Sequence, residues 1–389
     1  MLRKIAYAAL TSLLVACAPS TSVSDGTSIQ GTASPSTSPS NTASATPSPT
    51  PSQSTTPLQE CSAIEPPPGS WPAIAQAALQ ELITRYQDHC SRVADFEYYF
   101  SLPPDLTDKQ EEAVIRWYTD ALRSATRVYG DLLYSDKPIA IFYKTSAQEM
   151  CDGLLDFLTA EKASSRALES VRSMEWACAP TSDWDAVYDA PGYGASVLRA
   201  ESPGYDFIIV NMGNAAELKT KDPYEALMPT FQTPSHELFH LAQAANRSQG
   251  ATLWWAEGGA SYVGHMTAAM QGMVSYARAR NESLVAYACG EILRNGKSGP
   301  PSISALSGWW EQADGKWWNG MAYQLGALAS EYVLGTYGWQ KFFTWASNFE
   351  GKDFAYLEAR SVSVFGRTLN ELHSDIDNYL IETIGLSRC

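Results

Sequence analysis

FQTPSHELFHLAQAA, residues 231–245, is the stretch on which the reading of the fold turns. It reads as a helix, with Thr233 as N-cap and Pro234 at the first helical position, where a missing N–H costs nothing. On a helix, His236 and His240 lie one turn apart on the same side. Two neutral imidazoles so placed can share one Zn²⁺. Glu237 sits about a hundred degrees around the helix from His236, close enough to reach a water on that ion without ligating it. A catalytic zinc takes three protein ligands and keeps a fourth position for water, so one ligand is still missing.

The third ligand is sought downstream. A Gly at 243 and a His at 246 would complete the metzincin pattern, but the chain has Gln243 and Asn246, which excludes that class. After a loop containing Gly250, residues 253–264 read LWWAEGGASYVG, a second helix carrying Glu257 17 residues beyond His240. An antiparallel second helix can return Glu257 to the metal. Gly258 and Gly259 each cost a helix roughly 1 kcal/mol, and close packing on the histidine-bearing helix accounts for them. Ser261, one turn beyond Glu257, is a candidate partner for a ligand.

HExxH followed by Trp254-Trp255-Ala256-Glu257-Gly258 resembles the gluzincins, the peptidase MA-like zinc metallopeptidases. The resemblance implies a zincin-like fold, His236, His240 and Glu257 as zinc ligands, and Glu237 as catalytic base. A helix that opens at Tyr323-Gln324-Leu325-Gly326, continues to Leu334 and closes at Tyr337-Gly338 is similar to the segment that follows the zinc site in that family. By that resemblance Tyr323 is catalytic and stabilises the tetrahedral intermediate; the competing reading is a core tyrosine. No GxMEN motif occurs, so exopeptidase activity does not follow.

The remaining histidines read differently. His265 lies about 80° off the Glu257 face and is expected beside the ligands or at the surface; His89 and His373 are expected to be structural or exposed. Gly308 to Gly320 holds Trp309, Trp310, Trp317 and Trp318 in what reads as a loop before Tyr323. That loop is either a cleft wall or a hydrophobic plug. No Walker loop and no GxSxG occur.

Helical periodicity is expected over Ser70 to about Val93 and from Thr107-Asp108 to about Tyr129. Pro138–Lys144, Ala195–Arg199 and Tyr205–Asn211 read as strands, the last two joined by Ser202-Pro203-Gly204. The strand at 205–211 is expected to align an extended substrate by edge pairing. From Tyr224 the chain reads as mostly helical, with loops near 246–251 and 295–320. The fold class is therefore α+β, a small mixed β-sheet with an active-site helix and a helical C-terminal lobe. Residues 58–389 make the domain, with an N-lobe of about 58–246 and a C-lobe of about 247–389.

The N-terminus stands apart. Residues 1–16 combine a basic start with an apolar run too short to span a bilayer, and Leu14-Val15-Ala16-Cys17 resembles a bacterial lipobox, so Cys17 is the expected lipidation site. Residues 17–57 are almost wholly Ser, Thr, Pro, Ala and Gly, a disordered tether. The expected location is extracytoplasmic, anchored to a bacterial membrane through lipid. The formal charge is −15, and loss of Arg3 and Lys4 leaves 25 basic against 42 acidic residues, which argues against nucleic-acid partners. Six cysteines follow Cys17, an even number consistent with disulfides outside the cytoplasm. Fifteen pairings are open; local pairing predicts 61 with 90, 151 with 178, and 289 with 389.

The expected function is zinc-dependent hydrolysis of peptide or protein substrates at the outer face of that membrane. The alternative is a non-catalytic binding lipoprotein with a structural zinc, binding through residues 308–320. A glycan-directed hydrolase is disfavoured because no paired catalytic carboxylates are identifiable.

Overall fold

The computed structural model describes residues 61, 64–91, 98–132, 139–144, 146–173, 178, 195–198, 207–211, 215–218, 220–248, 251–294, 303–306, 316–349 and 353–389. Cys17, the tether, Trp309 and Trp310 lie outside them. In chain order the elements are α1 (Ala73–Asp88), β1 (Tyr98–Ser101), α2 (Asp108–Tyr129), β2 (Ile139–Tyr143), α3 (Ala147–Ala160) and α4 (Ser165–Arg172). Then come β3 (Ala195–Leu198), β4 (Phe207–Asn211), α5 (Ala215–Leu218), α6 (Pro223–Leu227), α7 (Thr233–Ala245) and α8 (Leu253–Met270). A π-helix (Ala277–Ala286), α9 (Tyr287–Arg294), α10 (Lys316–Tyr337), α11 (Trp339–Ala346), α12 (Phe354–Phe365) and α13 (Leu369–Asn378) complete the chain.

The fold is α+β. One mixed sheet has the order β1-β2-β4-β3, with β1–β2 and β2–β4 parallel and β3–β4 antiparallel. β2 reads IAIFY and is buried at every residue. Ile139, Ile141 and Tyr143 face the main core, and Ala140 and Phe142 face a smaller one against α3. This is the pattern of a strand covered on both faces. The main core takes residues from Cys61 to Leu386, so the sheet side and the helical side share it.

Local signals place most helix starts. Thr107 and Gln110 form a capping box at α2, and Thr252 accepts from the Trp255 N–H at α8. The start of α7 departs from expectation. Its N-cap is Gln232, in helical conformation with no side-chain cap bond, and Thr233 is already inside the helix. A 3₁₀ turn at Met228–Thr230 leads into it, so the chain arrives already helical and no extended capping residue is needed.

The expected edge strand is a second correction. β4 is interior, paired with β2 on one side and β3 on the other, so it has no edge to offer. The outer strand on that side is β3, which packs beside α7. Strand β1 and helices α3 and α4 were not anticipated, and α10 begins at Lys316, ahead of Tyr323. Trp317 and Trp318 therefore belong to a helix, not a loop. All three disulfides form as local pairing predicted: Cys61–Cys90, Cys151–Cys178 and Cys289–Cys389. No helix among the described residues is long and apolar enough to cross a membrane.

Candidate metal centre

α7 and α8 pack side by side in opposite directions. Gln243 near the end of α7 reaches the Trp255 and Ala256 carbonyls near the start of α8, while Gly264 further along α8 lies against Gln232 and His236 at the start of α7. Tyr129 of α2 holds that first turn by donating from its hydroxyl to the Ser235 carbonyl at 2.7 Å. The arrangement brings His236, His240 and Glu257 together. Their exposures are 4%, 0% and 0%, and Glu237 beside them is also at 0%.

Nε2 of His236 and Nε2 of His240 are 3.1 Å apart, and Glu257 Oε2 lies 3.5 and 3.6 Å from them. An atom equidistant from the three donors lies about 2.0 Å from each, the length of a Zn–N or Zn–O bond. Neither Glu257 oxygen has a hydrogen-bond partner, although a buried carboxylate is costly unless it is compensated. Two imidazoles and one orphaned carboxylate fit a divalent first-row ion and can hold one.

No family model, no curated protein and no solved structure matches this chain. The site therefore stands on its own geometry.

The tautomer of His240 is set by a residue the sequence reading passed over. Gln243 donates its amide to the Trp255 and Ala256 carbonyls at 3.5 and 3.2 Å, which aims its oxygen at His240 Nδ1, 2.8 Å away. That nitrogen must donate, so Nε2 faces the centre and presents a lone pair there once its proton is displaced. The available signal was position: Gln243 is three residues beyond His240 on the same helix. Ser261 Oγ stands 3.5 Å from His236 Nδ1. His265 is buried, donates from Nδ1 to the Ser261 carbonyl at 2.8 Å, and is not among the grouped ligands. His89 caps the end of α1, and His373 is buried under Trp254.

Burial by itself raises the Glu257 pKa, but His240 and His236 outweigh it and hold the carboxyl at about 2. Burial by itself lowers His240, and the Glu257 carboxylate outweighs that, raising the imidazole to about 9. His236 is pushed down, by burial above all. The Glu257 carboxylate is thus matched by the proton that His240 holds, and a cation bound between the rings takes that proton's place. Tyr323 of α10 stacks on the His236 ring, centroids 5.9 Å apart and planes 20° off parallel, so the structure brings it to the cluster.

The glycines beside Glu257 do this positioning, though not all in the way expected. A Cβ on Gly258 would lie 2.1 Å from the Gly326 carbonyl carbon of α10, so this glycine serves the α8–α10 approach, not the packing on α7. Gly259 does face α7, where a Cβ would meet Phe239 at 2.9 Å. The Gly258–Gly326 contact lets the two backbones close up next to Glu257 and carries Tyr323 to His236.

Proposed function

We propose that this chain is a zinc-dependent peptidase of the gluzincin type with a zincin-like fold. It acts on peptide or protein substrates at the outer face of a bacterial membrane, where acyl chains on Cys17 tether it. The observation that carries this reading is the triangle of His236, His240 and Glu257 donors with Glu237 buried beside it.

A Zn²⁺ held there would supply Lewis acidity toward a water and a carbonyl. His236, His240 and Glu257 hold it, and Gln243 keeps His240 in the ligating tautomer. Glu237, the neighbour of His236 on α7, takes the proton of the attacking water and gives it to the leaving amine. The charge of Glu237 is already felt at His240. Tyr323, stacked on His236, is a donor for the developing oxyanion. β3, the outer strand beside α7, offers its backbone to an extended substrate.

Glu237→Gln tests the assignment. The variant is expected to keep one zinc per chain by elemental analysis and to lose at least about a hundredfold in peptide turnover. Undiminished turnover would remove Glu237 from the mechanism. The deep burial of all four side chains favours a second reading, because a substrate has to reach the ion for catalysis. In that case the protein is a binding lipoprotein with residues 308–320 as its surface. Mass spectrometry of a peptide-library digest separates the two: chelator-sensitive products support the peptidase, and their absence supports the binder.

A further inference from the structure

A cavity of about 460 Å³ opens between α2, the α6–α7 approach and the end of α8. It lines none of the proposed metal ligands. Its volume falls within the range of small-ligand pockets, about 300–1,000 Å³. Trp117 and Tyr224 form one jaw, with ring centres 6.3 Å apart and planes inclined at 55°. Tyr224 is 46% exposed, the most of any large aromatic side chain among the described residues. Met228 and Met273 add two adaptable thioethers to the walls.

At the mouth stand Arg116 and Asp120, one turn apart on α2. Arg116 touches Asp120 only through Nε at 3.6 Å, and its other guanidinium nitrogens have no partner among the described residues. In a chain of net charge −15, this places a half-exposed cation beside an apolar cavity, with a carboxylate next to it.

We propose that this cavity is a second binding site, for the carboxy-terminal residue of a peptide that ends in a large apolar side chain. Three groups radiate from the Cα of such a residue, and the site has a counterpart for each. The guanidinium of Arg116 receives the terminal carboxylate by charge-assisted hydrogen bonds. Asp120 accepts from the adjacent amide N–H. The Trp117, Tyr224, Met228 and Met273 walls take the side chain. A fatty acid has the carboxylate and the apolar body but no N–H for Asp120, and it fits less well. The site does not depend on the metal chemistry.

The test is a titration of the full chain, carrying ¹³C-methyl methionine, with N-acetyl-L-phenylalanine. The Met228 and Met273 signals, assigned by Met→Leu variants, are expected to shift in a saturable way. N-acetyl-L-phenylalaninamide, which lacks the carboxylate, should bind at least fivefold more weakly, and so should decanoate, which lacks the N–H. Arg116→Gln should abolish the preference for acid over amide, and Tyr224→Ala should weaken both. Three results would each overturn the proposal: no movement of Met228 and Met273, equal binding of acid and amide, or decanoate binding as tightly as the blocked amino acid. Perturbation confined to Met321, two residues before Tyr323, would place the probe at the metal centre and also overturn it.

Discussion

Glu257 on α8 and Glu331 on α10 are both fully buried, and the protein treats them in opposite ways. Glu331 is saturated. Arg280 donates to it through Nε at 2.6 Å and Nη2 at 2.8 Å, Tyr379 adds its hydroxyl at 2.6 Å, and the Arg280 guanidinium rests 4.9 Å from the Trp71 ring centre. Glu257 has only two imidazole nitrogens, at 3.5 and 3.6 Å, beyond good hydrogen-bond length. At equal burial the difference is one of purpose. A carboxylate compensated by a bidentate arginine locks helices together. A carboxylate left without close donors, between two imidazole nitrogens, is organised for a cation supplied from outside.

The contrast is broken most forcefully at Glu331. Glu331→Ala leaves Arg280 buried without its counter-charge and is expected to cost about 3–5 kcal/mol in denaturant unfolding. Zinc stoichiometry below the transition should be unchanged. Loss of zinc at unchanged stability would show that the roles are reversed.

The reciprocal change is Glu257→Gln. Altering the outer partners of a metal site typically costs 10–100-fold in affinity, so removing a direct ligand should cost at least about a hundredfold, measured by chelator competition. Near-UV circular dichroism should remain native. A variant that binds zinc as tightly as the parent would show that Glu257 is not a ligand.

His373 sharpens the comparison from a third side, because burial dominates its titration. Burial lowers its pKa from 6.5 to about 4. The unfolded chain therefore binds more protons between those values, and stability is full above pH 6.5 and falls as the pH drops toward 4. Between the neutral plateau and pH 5 the loss from this residue is about 2 kcal/mol. It is read as the difference between parent and His373→Gln unfolding curves across that range. Parallel curves would show that His373 titrates normally.

Much of the site was legible because its signals are local. The four-residue step from His236 to His240 puts both imidazoles on one face of any helix, whatever surrounds it. Thr107-Asp108 marks the start of α2 within one turn, and residues 138–144 read as a strand from their own run of apolar residues. The capping of α7 was misread for the complementary reason. Thr233 has the right chemistry for an N-cap, but the 3₁₀ turn before it delivers a chain that is already helical. The extra length of α10 was hidden by Gly320, which reads as a breaker, yet the helix runs through it from Lys316.

The sequence alone grouped His236, His240 and Glu257, put Glu237 next to the first of them and suggested the three cysteine pairs. The histidine pair rests on spacing, Glu257 on a resemblance of motif, and the cysteine pairs on their order along the chain. The tertiary structure alone decided that β3 is the outer strand and β4 the inner one. It also decided that Gly258 answers to Gly326, that Gln243 fixes the His240 ring, and that Glu331 is neutralised where Glu257 is not. Those outcomes depend on which distant segments meet, and a buried polar group acquires its role from the atoms that replace its water.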